Sequence, residues 1–510
     1  MFFIPTEAEQ SLFDKINSGI ADTLDWVYGH SIVFVLIILL VGFGIYSTIK
    51  TRAIQFRLFG HMWHVALNSR DGAHGGISSF QAFTVGLADR IGTGNIAGVA
   101  IALVVGGPGA VFWMWIIALL GMATGFIEST LGQMFKVRNP DGTFRGGPAF
   151  YIERGLGKRG WGVLFSVLLV FTFAFAYEMI QANTLSAIAA ENFGWPTWVS
   201  AIVLVLISAP FFIGGLRPVA RFTEILAPLM AVLYILLALI TFITNWHMII
   251  PVFQTIFASA FGLNQAAGGV LGGIYAAFMN GAKRGLFSNE AGEGSVPNAA
   301  STATVNHPVK QGLIQSLGVF VDTILVCTAT AFIVLVGGVF DINATEQSQL
   351  VQDLSGANLT IESLGVLGAW TKPVMIIIIF MFIYSTLLGN YAYAEGNEKF
   401  LRGIDSKGWF SKIICIVAVV FGAVMSLNAV WVIGDWAAAL LVLVNLTACL
   451  FLYKWAIGAL KDYEHQRKTK PEEEILFCST DNEFLPGELP TDIWSAEGIA
   501  AGRHIGKAAE

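Results

Sequence analysis

The chain has 510 residues, of which 55% are apolar and only 13% charged. A soluble domain averages about 25% charged residues, so this composition excludes a disordered chain and a water-exposed globular surface. The net charge of −6 comes with cations dispersed among loops, which excludes a nucleic-acid partner.

The composition reads as an all-α polytopic membrane protein, rich in glycine for close helix packing. Residues 1–30 form an N-terminal segment outside the membrane, with an amphipathic helix expected over 7–28. Apolar runs long enough to cross a bilayer lie at 31–49, 79–105, 109–135, 162–190, 197–215, 223–245, 266–282, 313–338, 373–395, 413–428 and 434–456. These are eleven expected transmembrane helices. The runs are continuous rather than alternating, which excludes a closed β-barrel. The segment 457–510 is polar and is expected to be a mobile cytoplasmic tail. The four cysteines are far apart and form no disulfide or metal pattern.

Of the 29 cations, 26 fall in alternate loops on one side: 50–72, 136–160, 214–222, 283–312, 396–412 and the segment from Lys454. Lys15 and Lys372 fall on the other side, and Arg90 lies inside a span. The positive-inside rule makes the rich side cytoplasmic. The N-terminus is then outside and the C-terminus inside a cell (inner) membrane.

Two spans break the rule that a membrane helix satisfies its own backbone. One holds Gly92-Thr93-Gly94-Asn95 just after Asp89-Arg90. The other ends at Asn280-Gly281 and runs into Lys283 through Ser295. With 31–49 set aside as an extra helix, 79–245 and 266–456 make two sets of five. The broken span comes first in each set, and the sets have opposite orientation. Paired interrupted helices in inverted halves point to a secondary-transporter site, with free amides for a carboxylate and free carbonyls for a cation. Two readings of Asp89 and Arg90 stand side by side. They are an ion pair that holds or gates the halves, or a direct contact with the ligand.

Four motifs in order resemble the alanine or glycine:cation symporter family, the sodium:alanine symporters. They are Gly92 to Val99 (GTGNIAGV), Gly106 to Trp115 (GGPGAVFWMW) followed by Gly121, Phe144 to Tyr151 (FRGGPAFY) and Phe287 to Gly292 (FSNEAG). The match runs from about 50 to 455. The resemblance implies a LeuT-type five-plus-five inverted repeat preceded by one helix. It also implies sodium-coupled uptake of a small neutral amino acid, and no organic cofactor.

The same resemblance implies where the ligands sit. Na+ would take the carbonyls of Ala88 and Ile91 and the hydroxyls of Ser385 and Thr386, hard oxygen donors suited to a small cation. For Ser385 and Thr386 the bland reading is a back-bond to the preceding helical turn. The substrate carboxylate would lie on the amides of Thr93, Gly94 and Asn95. Its ammonium would meet Phe278, Asn280 and Gly281, with Asp89, Gln181 and Asn183 as further polar candidates. Asn390 stands where many alanine transporters of the family carry Trp. It makes the site more polar, able to take serine or glutamine as well as alanine or glycine, or else it faces another helix. Proton coupling through Asp89, Glu178 or Asp322 is the main alternative. An amino-acid-gated channel or sensor comes after it. No nucleophile–base pair or metal cluster indicates an enzyme.

Overall fold

A computed structural model describes residues 23, 32–69, 77–214, 216–263, 270–341, 347–349, 351, 354 and 356–505. The amphipathic segment expected over 7–28 lies outside them, Thr23 apart. The described chain is almost entirely helical. Its long elements are α1 (Val33–Lys50), α2 (Ser79–Arg90), α3 (Gly94–Gly106), α4 (Gly109–Met134), α5 (Pro148–Leu156), α6 (Arg159–Phe193), α7 (Thr197–Gly214) and α8 (Leu216–Thr244). They continue with α9 (Trp246–Ala260), α10 (Val270–Asn289), α11 (Val296–Thr302), α12 (Pro308–Val336), α13 (Thr371–Arg402), α14 (Trp409–Val424) and α15 (Leu427–Thr469). A two-stranded antiparallel hairpin, β1 (Val137–Arg138) and β2 (Phe144–Arg145), follows α4.

Among the described residues, eight helices are long and apolar enough to cross a membrane, or nine if the bent pair α2–α3 is one span. Of the expected eleven, two fall short of that measure. Helix α10 is continuous but carries Asn280, Lys283 and Arg284, and α14 has only 16 residues. Helix α9 was not expected.

The core forms around α4, which packs against α10, α12, α1 and α11. Without a hydrophobic drive between helices in lipid, close approach depends on small residues. Gly121 of α4 has room for nothing larger, because a Cβ there would sit 3.0 Å from the Cβ of Ala291. Gly132 meets the Pro297 carbonyl at the same distance. On the periphery, α7 and α8 expose Ile202, Leu206, Ile225, Val232 and Leu236 to the surroundings. A continuous apolar face of this kind belongs against lipid.

The segment after α15 is not the free tail expected from its polarity. Helix α15 runs on to Thr469, and the chain then folds back onto the cation-rich face. Phe477 donates its amide to the Asn306 carbonyl at 3.0 Å, and Ser479 donates its amide to the Trp494 carbonyl at 2.8 Å. Trp494 is fully buried and donates Nε1–H to the Gln133 carbonyl at 3.0 Å. The polar composition hid this because one buried ring and a few backbone bonds anchor the segment, with no helical period.

The same face carries a titrating contact. His61 Nε2 lies 2.9 Å from the Tyr463 hydroxyl. Burial first, then the nearby Arg467 charge, lowers its pKa from 6.5 to about 4. Below pH 6.5 the unfolded chain takes up a proton that the folded chain refuses. This contribution to stability is therefore lost as pH falls from about 6.5 towards 4. Thermal unfolding of His61→Gln should fall less steeply than the parent between pH 7 and 5. Identical slopes would show that His61 does not titrate this way.

Candidate functional site

The first break starts from a well-made helix. Ser78 caps α2 through a reciprocal box with Gln81. The helix stops at Arg90, where Ile91 turns out of helical geometry with ψ 86°. The Gly92 amide would otherwise close the ladder onto Ala88. Instead it donates to Asn95 Oδ1 at 2.9 Å. Helix α3 then leaves at 47° to α2, opening with a wide π-type turn over Gly94–Gly98.

The carbonyls released at this break are met by α13. Ser385 Oγ donates to the Ala88 carbonyl at 3.0 Å. Thr386 Oγ1 lies 3.2 Å from the Ala88 carbonyl and 2.9 Å from that of Asp89. Gly92 makes this possible, since a Cβ there would overlap the Thr386 hydroxyl. The back-bonds exist too, to the Phe382 carbonyl at 2.8 Å from Ser385 and 3.2 Å from Thr386. Each hydroxyl carries one proton. Two protons therefore serve three carbonyls, and the five oxygens form an acceptor-rich cluster. The carbonyl that joins Ala88 at the hydroxyls belongs to Asp89. The resemblance implies Ile91 instead, which is fully buried but lies where the chain has already turned.

Beside the break, the Thr93 hydroxyl donates to Gln181 Oε1 of α6. Gly94 lies under Phe287, whose ring would be 3.0 Å from a Cβ at that position. Asn95 is fully engaged. Its Nδ2 donates to Asp322 Oδ1 at 2.5 Å and to Ser288 Oγ at 3.0 Å. Asp322 also accepts from Ser288 at 2.8 Å and Thr323 at 2.7 Å. This carboxylate thus joins the first broken helix to α10.

Five expected substrate contacts lie elsewhere. Asn183 donates to the carbonyls of Gly422 at 2.9 Å and Met425 at 2.7 Å, pinning α6 to the end of α14. Phe278 packs on Trp113 with ring centroids 4.9 Å apart. Asn280 back-bonds to Ala276 at 2.9 Å, and Gly281 is wedged against Ala110 and Trp113 of α4. The helix passes through Asn280-Gly281 unbroken because that glycine serves packing. Asn390 is fully buried against Glu178 of α6.

The second break lies at the far end of the expected stretch, after Asn289 rather than at Asn280-Gly281. Positive φ angles at Glu290 (56°), Gly292 (103°) and Gly294 (78°) separate α10 from α11. The left-handed region is natural for the two glycines and strained for Glu290. Side chains fix the loop. Glu128 Oε1 accepts from the Gly292 amide at 3.2 Å, and Asn445 donates to Glu128 Oε2 at 2.8 Å and to the Gly292 carbonyl at 2.9 Å. Ser295 Oγ donates to Glu290 Oε2 at 2.5 Å. Tyr177 donates to both oxygens of Glu293, at 2.9 and 3.0 Å. The residues beside Gly94 are therefore Phe287 and Ser288, both inside the quoted FSNEAG motif.

Charges and rings frame the two breaks. Asp89 packs on the bare backbone of Gly389 and faces the Glu290 carboxyl. Arg90 donates Nη1–H to the Gln315 carbonyl at 3.1 Å, so it is bonded to α12 rather than paired with Asp89 by a hydrogen bond. Arg90 is not the one cation at depth. Arg284 is buried in α10, 2.6 Å from Asp435 of α15, with Lys283 at 4.0 Å from the same carboxylate. Its guanidinium lies 4.4 Å from the Trp431 ring centre. From Trp431 a chain of ring contacts runs through Phe287, Tyr177 and Phe173 to Tyr393, with centroids 4.8 to 5.4 Å apart. A cavity of about 690 Å³ at the cation-rich face is lined by Asn139, Arg145, Arg221, Tyr393 and Lys399. The rings were missed in the sequence because an aromatic residue in an apolar span carries no signal of its own.

Comparison with known proteins places this geometry in context. The chain matches the profile of the sodium:alanine symporter family over residues 15–476. It is 43% identical to the "Probable sodium/glutamine symporter GlnT" of Bacillus subtilis (strain 168), with 88% of this chain and 91% of that protein covered. It is 42% identical to the amino-acid carrier protein AlsT of the same organism, covering 90% and 94%. It is 37% identical to the sodium/alanine symporter AgcS of Methanococcus maripaludis, covering 85% and 95%.

Proposed function

Because the chain belongs to the sodium:alanine symporter family, whose members are transporters and not enzymes, we propose that it carries a small neutral amino acid into the cytoplasm in symport with Na+ by alternating access. The proposed architecture is α1 followed by two inverted five-helix repeats over 79–245 and 266–456. The bent pair α2–α3 and the broken pair α10–α11 then hold corresponding positions. The N-terminus is proposed to lie outside and the cation-rich face in the cytoplasm.

One observation carries the reading: the Ser385 and Thr386 hydroxyls converge on carbonyls freed at the first break. Hard oxygens in excess of protons suit a small cation. Ala88, Asp89, Ser385 and Thr386 are the proposed sodium ligands, with Ile91 at the turn. The substrate carboxylate is assigned to the start of α3, where free amides and the helix dipole favour an anion. Thr93, Gly94, Gln181 and Phe287 form the walls of that site. The names of the relatives support alanine and glutamine as substrates to try first, with glycine and serine beside them.

Uptake of labelled alanine, glycine, serine and glutamine into proteoliposomes is the test. An inward sodium gradient should drive accumulation of at least one of them. Accumulation that follows a proton gradient and ignores sodium would replace the coupling ion. Uptake that equilibrates without accumulating would replace symport by a channel.

A further inference from the structure

The hairpin β1–β2 and helix α5 sit at the cation-rich end of α13. Together they line a second cavity of about 830 Å³. Its walls carry Arg138, Arg145, Arg154, Arg159, Lys399 and Arg402 against a single carboxylate, Glu153. Two of these cations have a close acid among the described residues. Arg159 lies 2.6 Å from Glu153, and Lys399 lies 2.6 Å from Glu395. Arg154 donates to the Pro490 carbonyl at 3.3 Å, and Arg402 rests on the Phe410 ring at 4.8 Å. Arg145 leaves Nε and Nη1 buried without a hydrogen-bond partner. Burial, and then the Arg154 charge beside it, lowers the Arg145 pKa from its ordinary value. An anion with several oxygens would relieve all of this at once, because guanidinium groups match phosphate in a fork.

The surroundings name the source of that anion. Arg159 starts α6, which exposes Trp161, Leu164, Val167 and Phe171 along one lipid-facing stripe. Trp409 and Phe410 are exposed at the start of α14 next to Arg402. Exposed tryptophans mark the level of the headgroups. Helix α5 also lines an apolar groove of about 590 Å³, bounded by Ile152, Leu156, Trp161, Leu443 and Phe451. Cations and an acyl-sized groove on one short helix match a phospholipid better than a soluble phosphate.

We propose that this pocket binds the phosphate of an anionic phospholipid headgroup in the leaflet against the cation-rich face. The site is independent of the substrate and of the coupling ion. Arg145 and Lys399 line both this pocket and the 690 Å³ cavity that Tyr393 also lines. A bound headgroup would therefore tie the β1–β2 hairpin to the end of α13 at the wall of that cavity.

Thermal unfolding of the detergent-purified full chain tests this. Phosphatidylglycerol should raise the Tm by several degrees, and phosphatidylcholine and inorganic phosphate should not. The rise should shrink at high salt. The triple variant Arg145→Gln, Arg154→Gln, Arg402→Gln should lose most of it, and Lys461→Gln on α15 should keep it. Arg154 is exposed, so Arg154→Gln alone should fold and lose part of the rise, which decides the matter if the triple variant does not fold. Equal rises with phosphatidylglycerol and phosphatidylcholine would overturn the proposal, as would an unchanged rise in Arg154→Gln. A rise with inorganic phosphate matching that with phosphatidylglycerol would overturn the lipid source and leave a soluble anion in its place.

Discussion

Thr386→Ala should raise the sodium concentration for half-maximal uptake by roughly 10- to 100-fold, equivalent to about 1.4–2.7 kcal/mol. The hydroxyl stands 2.9 Å from the Asp89 carbonyl and 3.2 Å from that of Ala88. Removing it takes one hard oxygen from the cluster and leaves those carbonyls short of a partner in a dry site. Ser385→Ala should act in the same direction, since Ser385 meets Ala88 at 3.0 Å. Thr386→Ser keeps the hydroxyl and should stay close to the parent. Substrate affinity at saturating sodium should change far less than sodium affinity. Unchanged sodium dependence in both alanine variants would remove the ion from this position and reduce the two hydroxyls to helix back-bonds.

Asp435→Ala should destabilise the protein by about 3–5 kcal/mol, the usual consequence of leaving a buried charge without its partner. Arg284 is 5% exposed and keeps its 2.6 Å contact to Asp435 inside the helix bundle, with the Trp431 ring on its other side. The two ends of the pair are not equivalent. Without Arg284, Asp435 still has Lys283 at 4.0 Å. Without Asp435, Arg284 loses the carboxylate it contacts at 2.6 Å. Arg284→Leu should therefore cost less than Asp435→Ala, and the double variant should recover much of the loss. Thermal unfolding of the three variants provides a double-mutant cycle. Additive losses would show that the ion pair contributes no coupling.

The first break is readable in the sequence because Gly92, Gly94 and Asn95 interrupt an apolar run. Only the tertiary structure shows that Asn95 holds the break open by taking the Gly92 amide. The second break is shifted in the sequence reading because Asn280-Gly281 followed by Lys283-Arg284 has the composition of a helix end. The partner that keeps Arg284 inside a helix, Asp435, lies 151 positions away. Asn183 has the same ambiguity. A polar side chain in an apolar helix faces either a ligand or a neighbouring carbonyl, and the periodicity is identical in both cases. Ser385 and Thr386 came from family resemblance, since their own signal is that of common helix back-bonders. The folding back of residues 470–505 escaped notice because neither period nor composition announces it.

That returning segment sets an order of events in biosynthesis. Gln133 donates its side chain to the carbonyls of Ala300 and Ala303 at the end of α11, and its own backbone carbonyl accepts from Trp494. Lys136 donates to the Ala303 carbonyl at 2.9 Å and lies 5.0 Å from the Trp494 ring. Residue 494 leaves the ribosome after α15, when every helix of the bundle is already made. The end of α11 thus waits, without Trp494 over it, until α15 has been made. A chain cut before residue 494 would keep α1 to α15 but leave the end of α11 without its Trp494 cover.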